Sequence, residues 1–163
     1  MAEFVLNTSN IGSTNGVAKV HPYYDLDDFA RGYVEAMFFT NGDCGSDDEK
    51  LLNRLGVGRL TRAACADIKA DCDKFLSTVM PDGRFARQWI DELVTFPATF
   101  GDGVQDDRRA GRMFWYARQR HGVGWSDDYG GVKAMAVADG LQDACRAFGE
   151  ADVEVWRGWI AHR

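Results

Sequence analysis

The densest group of side chains that could do chemistry lies in residues 114–128, FWYARQRHGVGWSDD. His121 could act as a general acid or base if a carboxylate held it in place, and Asp127 or Asp128 could do so across a hairpin. Ser126 lies outside the Gly-x-Ser-x-Gly pattern of a nucleophile elbow. The other two histidines lie near the ends of the chain, so no spacing supports a metal site. We therefore expect a protein that is not an enzyme and that has no catalytic residue, metal or cofactor.

The same stretch mixes arginines with aromatic residues, as do surfaces that bind single-stranded nucleic acid. Arg118, Arg120, His121 and Trp125 would form such a surface on a hairpin made by residues 112–125. Five aspartates lie close in sequence to the five arginines of this region, however, so the charges cancel. This local neutrality favours ion pairs within the protein. Internal pairing is therefore the favoured interpretation, and the arginine surface is the alternative.

The elements of the back half are predicted to be mainly strands. Residues 113–118 alternate in polarity and residues 122–125 are extended in character, which predicts a first hairpin. The apolar spacing over 139–148 predicts a helix. A second hairpin follows, with Arg157 and Gly158 as its turn.

Three helices are predicted in the front half. The first begins at Leu26 and follows the i, i+3, i+4, i+7 rule, the second is capped by Thr61, and the third covers 84–95. Helices in front and two hairpins separated by a helix behind indicate an α+β fold. We expect a single compact domain over residues 22–163 and a flexible N-terminal arm over residues 1–21, where Asn, Ser, Thr and Gly dominate.

The net charge of −6 is concentrated at the front, since residues 1–55 hold nine acids against four bases. Proteins that bind nucleic acid need a basic footprint, so we expect the acids to face a basic protein surface instead. Helix stabilisation by Asp27 and Asp28 is the competing explanation, because carboxylates favour the first turn of a helix. The predicted partner-binding acids are Asp25, Asp27, Asp28, Asp43, Asp47, Asp48 and Glu49.

The sequence also bears on where the protein is found. It begins without the basic and apolar regions of a secretion signal, and no run of residues is apolar enough to cross a membrane. We expect an intracellular protein whose four cysteines are reduced.

Several segments resemble a widespread family of small bacteriophage proteins. FWYARQRHGVGW is similar to the family pattern F-W-x-T-R-N-G-H-G-x-G-F-W, and GLQDACRAFGE and the final hairpin resemble the segments that follow it. DLDDFARGYVEAMFFTNGD and CADIKADCDKF resemble the first two helices of the family. The resemblance covers most of residues 25–163 and implies a phage origin, and the family has no assigned activity. Gln119, Arg120 and Arg157 replace its turn residues, so we expect this member to bind something else.

Phage kinship, small size and negative charge together favour an anti-defence protein in the host bacterial cytoplasm. Its most concrete form is an anti-CRISPR protein that binds a nucleoprotein effector through the acidic surface and contacts neither nucleic acid nor membrane. The alternative is a phage accessory protein that binds single-stranded nucleic acid through the 112–125 hairpin. The five tryptophans and the terminal hairpin would also suit a homodimer interface.

Overall fold

The computed structural model describes residues 6–8, 21–40, 52 and 54–163. Five α-helices and one two-stranded antiparallel sheet are defined in this part of the chain, so the predicted α+β class is confirmed. The elements are the 3-10 turn Pro22–Asp25, α1 Asp28–Thr40, the 3-10 turn Val57–Arg59, α2 Arg62–Leu76, α3 Ala86–Val94, α4 Asp107–Arg118, α5 Val132–Arg146, β1 Val153–Trp156 and β2 Trp159–His162.

The first two helices begin at side-chain caps, for which the sequence predicted Asp25 or Asp27 in the first helix and Thr61 in the second. Asp27 Oδ1 accepts a hydrogen bond of 2.8 Å from the Ala30 N–H at the start of α1. Thr61 Oγ1 accepts one of 3.0 Å from the Ala64 N–H at the start of α2. Such caps satisfy backbone donors that the first turn of a helix leaves open. Both helices, and α3, lie close to their predicted ranges.

The predicted first hairpin is wrong, because residues 107–118 form helix α4. Asp106 caps this helix, and its Oδ1 accepts a hydrogen bond of 2.7 Å from the Arg109 N–H. Ala110, Phe114 and Ala117 recur at helical spacing and are completely buried. The alternation over 113–118 is therefore a short portion of a helical pattern whose cap lies upstream of it.

The second hairpin is confirmed. Its strands pair antiparallel with Trp156 opposite Trp159, and the two residues between them have positive φ, 50° at Arg157 and 79° at Gly158. Two left-handed residues in a two-residue loop define a type I′ turn, whose twist matches that of the strands. The helix predicted over 139–148 is longer than expected, since α5 spans Val132–Arg146.

The predicted N-terminal arm is described only in small part. Leu6 packs against the core, and the Asn7 carbonyl accepts a hydrogen bond of 3.0 Å from the Val57 N–H. Residues 1–5 and 9–20 lie outside the described part of the chain. The division into a flexible arm and a single domain therefore stays a prediction.

Aromatic rings fill the core where α1, α2 and α4 meet. Phe75 and Phe114 stack with centroids 4.3 Å apart, and Tyr33 meets Trp115 edge-on at 5.0 Å. All four side chains are completely buried. The described cysteines are free and buried, as expected: Cys65, Cys72 and Cys145.

Two glycines let α1 and α4 pack backbone to backbone. A Cβ atom on Gly32 would overlap the carbonyl group of Arg108, and one on Gly111 would overlap the carbonyl group of Phe29. Because these obstacles are backbone atoms, no side-chain rotation can relieve the overlap. Any larger residue at either position must push the helices apart.

We expect Gly111→Ala to lower the free energy of unfolding by about 1–3 kcal/mol, the usual cost of overpacking a core. Helix propensity alone predicts the opposite sign, a gain of about 1 kcal/mol. Urea denaturation followed by circular dichroism measures the difference. Ala66→Gly on the exposed face of α2 is the control for propensity, and it should cost only about 1 kcal/mol. An unchanged or raised stability in Gly111→Ala would contradict the close crossing.

Candidate functional site

A cleft of about 490 Å³ opens between the end of α1, one face of α4 and the loop that follows α4. Helix α4 contributes Arg109, Met113 and Tyr116, whose i, i+4, i+7 spacing places them on one face. Phe39 from α1 and Val123 from the loop complete the apolar walls. Large apolar side chains on a concave surface, with a few polar groups beside them, are typical of binding sites.

The main polar group of the cleft is an ion pair. Arg109 Nη2 lies 2.7 Å from Asp128 Oδ2, and the two side chains are only 25% and 17% exposed. The backbone carbonyl of Asp128 accepts hydrogen bonds from Thr99 and Phe100, which fixes the loop against the preceding segment. Arg109 Nε is buried without a hydrogen-bond partner among the described residues. The cleft thus has a charged but internally neutral wall.

His121 lies at the same cleft because of how α4 ends. Arg120 adopts a left-handed conformation with φ of 55°, and the His121 N–H donates a hydrogen bond of 3.1 Å to the Tyr116 carbonyl. These features form a Schellman motif, which satisfies carbonyls at the end of a helix. Asp127 lines the cleft too, but its carboxylate accepts a hydrogen bond from the Gly124 N–H. No hydrogen bond joins His121 to Asp127 or Asp128 in the described structure, so the predicted acid–base pair is not assembled.

The four residues of the alternative surface do not share one surface. Arg118 is buried, and its guanidinium donates hydrogen bonds of 2.9 Å to Tyr33 Oη and 2.6 Å to Asp71 Oδ2. Trp125 is buried as well, and its indole N–H points to Cys145 Sγ at 3.2 Å. Only Arg120 and His121 remain exposed. Because the first hairpin is a helix, its arginines point in different directions around the helix axis.

His162 belongs to the buried network around Arg118. Its Nε2 lies 2.9 Å from Tyr33 Oη, and the residue is only 2% exposed. Burial, assisted by the positive charge of Arg118, lowers the pKa of His162 to about 4. His162 Nδ1 has no hydrogen-bond partner among the described residues. The imidazole is therefore held neutral at pH 7, as a structural element of the hairpin.

The described acids of the predicted partner-binding surface differ in their roles. Asp27 caps α1, and Asp28 forms an ion pair of 2.8 Å with Arg108. The hydrogen bond from Arg108, reinforced by its charge, lowers the pKa of Asp28. Asp25 is exposed at the end of a 3-10 turn. The other predicted acids lie outside the described residues: Asp43, Asp47, Asp48 and Glu49.

The sequence contained a signal for the cleft that the hairpin interpretation missed. A helix capped by Asp106 would have placed Arg109, Met113 and Tyr116 on a common face. Phe39 and Val123 carried no comparable signal, because their meeting depends on how α1, α4 and the loop pack together.

Comparison with protein-family models, with curated proteins and with solved structures found no match. Within the described residues, no group of three or more His, Cys, Asp or Glu side chains is arranged to hold a metal ion. The helices of this part of the chain are all too short or too polar to cross a membrane.

The buried state of His162 predicts a loss of stability in acid. Its pKa is about 4 in the folded protein against an ordinary value of 6.5. The unfolded chain therefore binds the proton more tightly, and stability is full above about pH 6.5 and falls as the pH drops towards 4. We expect a contribution of about 3 kcal/mol to this loss, measured by urea denaturation at several pH values.

The variant His162→Gln removes this titration and should flatten the pH dependence of stability across that range. His121→Gln, which alters an exposed histidine, is the matched control and should retain the wild-type dependence. Parallel curves for wild type and His162→Gln would show that the imidazole is not held neutral by the fold.

Proposed function

We propose that this chain is a phage-encoded anti-defence protein that binds a protein partner and uses the cleft beside α4 as its docking site. The observation that carries the proposal is the exposure of large apolar side chains on a concave surface. Phe39 is 42% exposed and Val123 is 48% exposed, and both line the cleft. Exposed apolar residues that share one concavity mark binding sites more often than scattered ones do.

The chemistry of the cleft favours a protein partner. Its walls can take an apolar side chain of the partner, and Met113, which lines the cleft, adapts its shape easily. Arg109 and Asp128 neutralise each other, so they offer hydrogen bonds in the wall of the cleft without an unpaired charge to desolvate. Apolar contact area combined with a few hydrogen bonds is usual in a protein–protein interface.

The negative charge of the chain has a separate role in this proposal. A net charge of −6 attracts partners with basic surfaces and raises the rate of association. Proteins that handle nucleic acid carry such surfaces, and a CRISPR effector is the most concrete candidate. The phage origin rests on the sequence resemblance alone. Of the predicted partner-binding acids that the structure describes, Asp25 alone is exposed without a capping role or a salt-bridge partner among the described residues.

We expect Val123→Glu to abolish co-purification of the partner, because a carboxylate in the apolar wall loses its water when the interface forms. The assay is affinity capture from host lysate, followed by mass spectrometry and by binding measurements with the partner identified. Val132→Glu is the matched control, since Val132 is 89% exposed, lies outside the cleft and begins a helix where a carboxylate is favourable.

Loss of binding in Val123→Glu with retention in Val132→Glu supports the proposal. Equal retention in both variants would place the interface elsewhere.

Reversal of the charges of Asp47, Asp48 and Glu49 should slow association with a basic partner and reduce inhibition of the defence complex.

A further inference from the structure

The tip of the terminal hairpin presents two exposed tryptophans. Trp156 is 66% exposed and Trp159 is 46% exposed, and they face each other across the two-residue turn. The inner face of the same hairpin is different, since Ile160 and His162 are buried. Tryptophans are large apolar residues that a folded chain usually covers. The tip therefore carries apolar surface that the rest of the described structure does not bury.

Each tryptophan is paired with an arginine. The Arg157 guanidinium lies 4.3 Å from the centre of the Trp156 ring, and the Arg59 guanidinium lies 5.3 Å from the centre of the Trp159 ring. Such cation–π contacts hold a guanidinium against the ring without neutralising its charge. We call Arg59, Trp156, Arg157 and Trp159 the tryptophan–arginine tip.

The arginines of the tip form no ion pair within the part of the chain that the structure describes. Neither Arg59 nor Arg157 has a carboxylate within 4.0 Å among the described residues, whereas Arg84, Arg108 and Arg109 all form ion pairs. Arg59 and Arg157 are therefore among the described cations without an ion pair, and each lies beside an exposed tryptophan. Two guanidiniums without a carboxylate partner among the described residues create a local positive potential that an anion can use.

Neighbouring elements reinforce that positive potential. The Thr61 N–H donates a hydrogen bond of 3.0 Å to the Ile160 carbonyl, which joins the start of α2 to β2. The first turn of α2 has no acidic residue, and Arg62 lies there instead. The start of a helix carries a partial positive charge, and the charge of Arg62 adds to it. The electrostatic potential beside the tip is therefore more positive.

The backbone of the turn also favours a residue other than arginine. Arg157 has a φ of 50°, a conformation that glycine and asparagine adopt more easily. Asn-Gly is the preferred sequence for this type of turn. Arginine at this position therefore costs some stability, and its side chain supplies the cation over Trp156.

We propose that the tryptophan–arginine tip binds single-stranded nucleic acid. Exposed indole rings stack on unpaired bases, and the unpaired guanidiniums contact the phosphates that flank them. A duplex hides its base faces within the stack, so the open rings favour a single strand. This site goes beyond the proposed protein-binding cleft and is made of different residues.

The test measures binding of a fluorescent deoxythymidine oligomer, about 15 nucleotides long, by anisotropy at about 50 mM salt. We expect Trp156→Ala to raise Kd about fivefold or more, because one stacked base is lost. Arg157→Asn removes a phosphate contact but preserves the turn, because asparagine is favoured at this position of a type I′ turn. It should weaken binding and reduce the slope of log Kd against log salt by about 0.7.

The matched control is Arg84→Asn. Arg84 also lies over a tryptophan, 5.7 Å from the Trp89 ring centre, but Asp82 and Glu92 neutralise it. This variant should bind the oligomer as wild type does. Val123→Glu should bind it normally too, so that failure of the cleft proposal and failure of this one can be told apart.

Three outcomes would overturn the inference. The first is no binding of the oligomer by the wild-type protein at low salt, and the second is unchanged binding in both Trp156→Ala and Arg157→Asn. The third is that these variants lose a protein partner while the wild type ignores the oligomer, which would make the tip a protein interface.

Discussion

The contact between α1 and α4 at Gly32 and Gly111 determines where the other groups of this protein lie. Each glycine faces a backbone carbonyl group of the opposite helix and leaves no space for a side chain. Packing at backbone distance permits little sliding or rotation, because any shift brings a larger residue into the contact. The orientation of α4 about its own axis is therefore fixed, and with it the direction of every side chain that the helix carries.

That orientation sorts the arginines of α4 into separate roles. Arg118 points inward to Tyr33 and Asp71, where it supports the terminal hairpin through His162. Arg108 joins the acids of α1, and Arg109 reaches Asp128 at the cleft. Ion pairing within the fold therefore accounts for the cluster of arginines that suggested a nucleic-acid surface. Arg59 and Arg157, which have no carboxylate within 4.0 Å among the described residues, lie elsewhere, at the hairpin tip.

Two surfaces with different chemistry follow from this arrangement. The cleft is apolar in its walls and neutral in its polar groups, which suits a side chain of another protein. The tryptophan–arginine tip is aromatic and positively charged, which suits an unpaired base and its phosphate. Since the two surfaces share no residue, the proposed protein partner and the proposed single strand would not compete for the same side chains.

Local sequence determined the features whose cause lies within a few neighbouring residues. The caps at Asp27 and Thr61, the front helices and the Arg157-Gly158 turn were all predictable, because hydrogen bonds and backbone preferences within one turn specify them. The extent of α4 was predictable from Asp106, the residue that caps it. The hairpin was predicted instead because residues 113–118, taken alone, fit a strand as well as a helix. Only the tertiary structure decided that Arg118 is buried and that the cleft exists, because both depend on contacts between residues far apart in the chain.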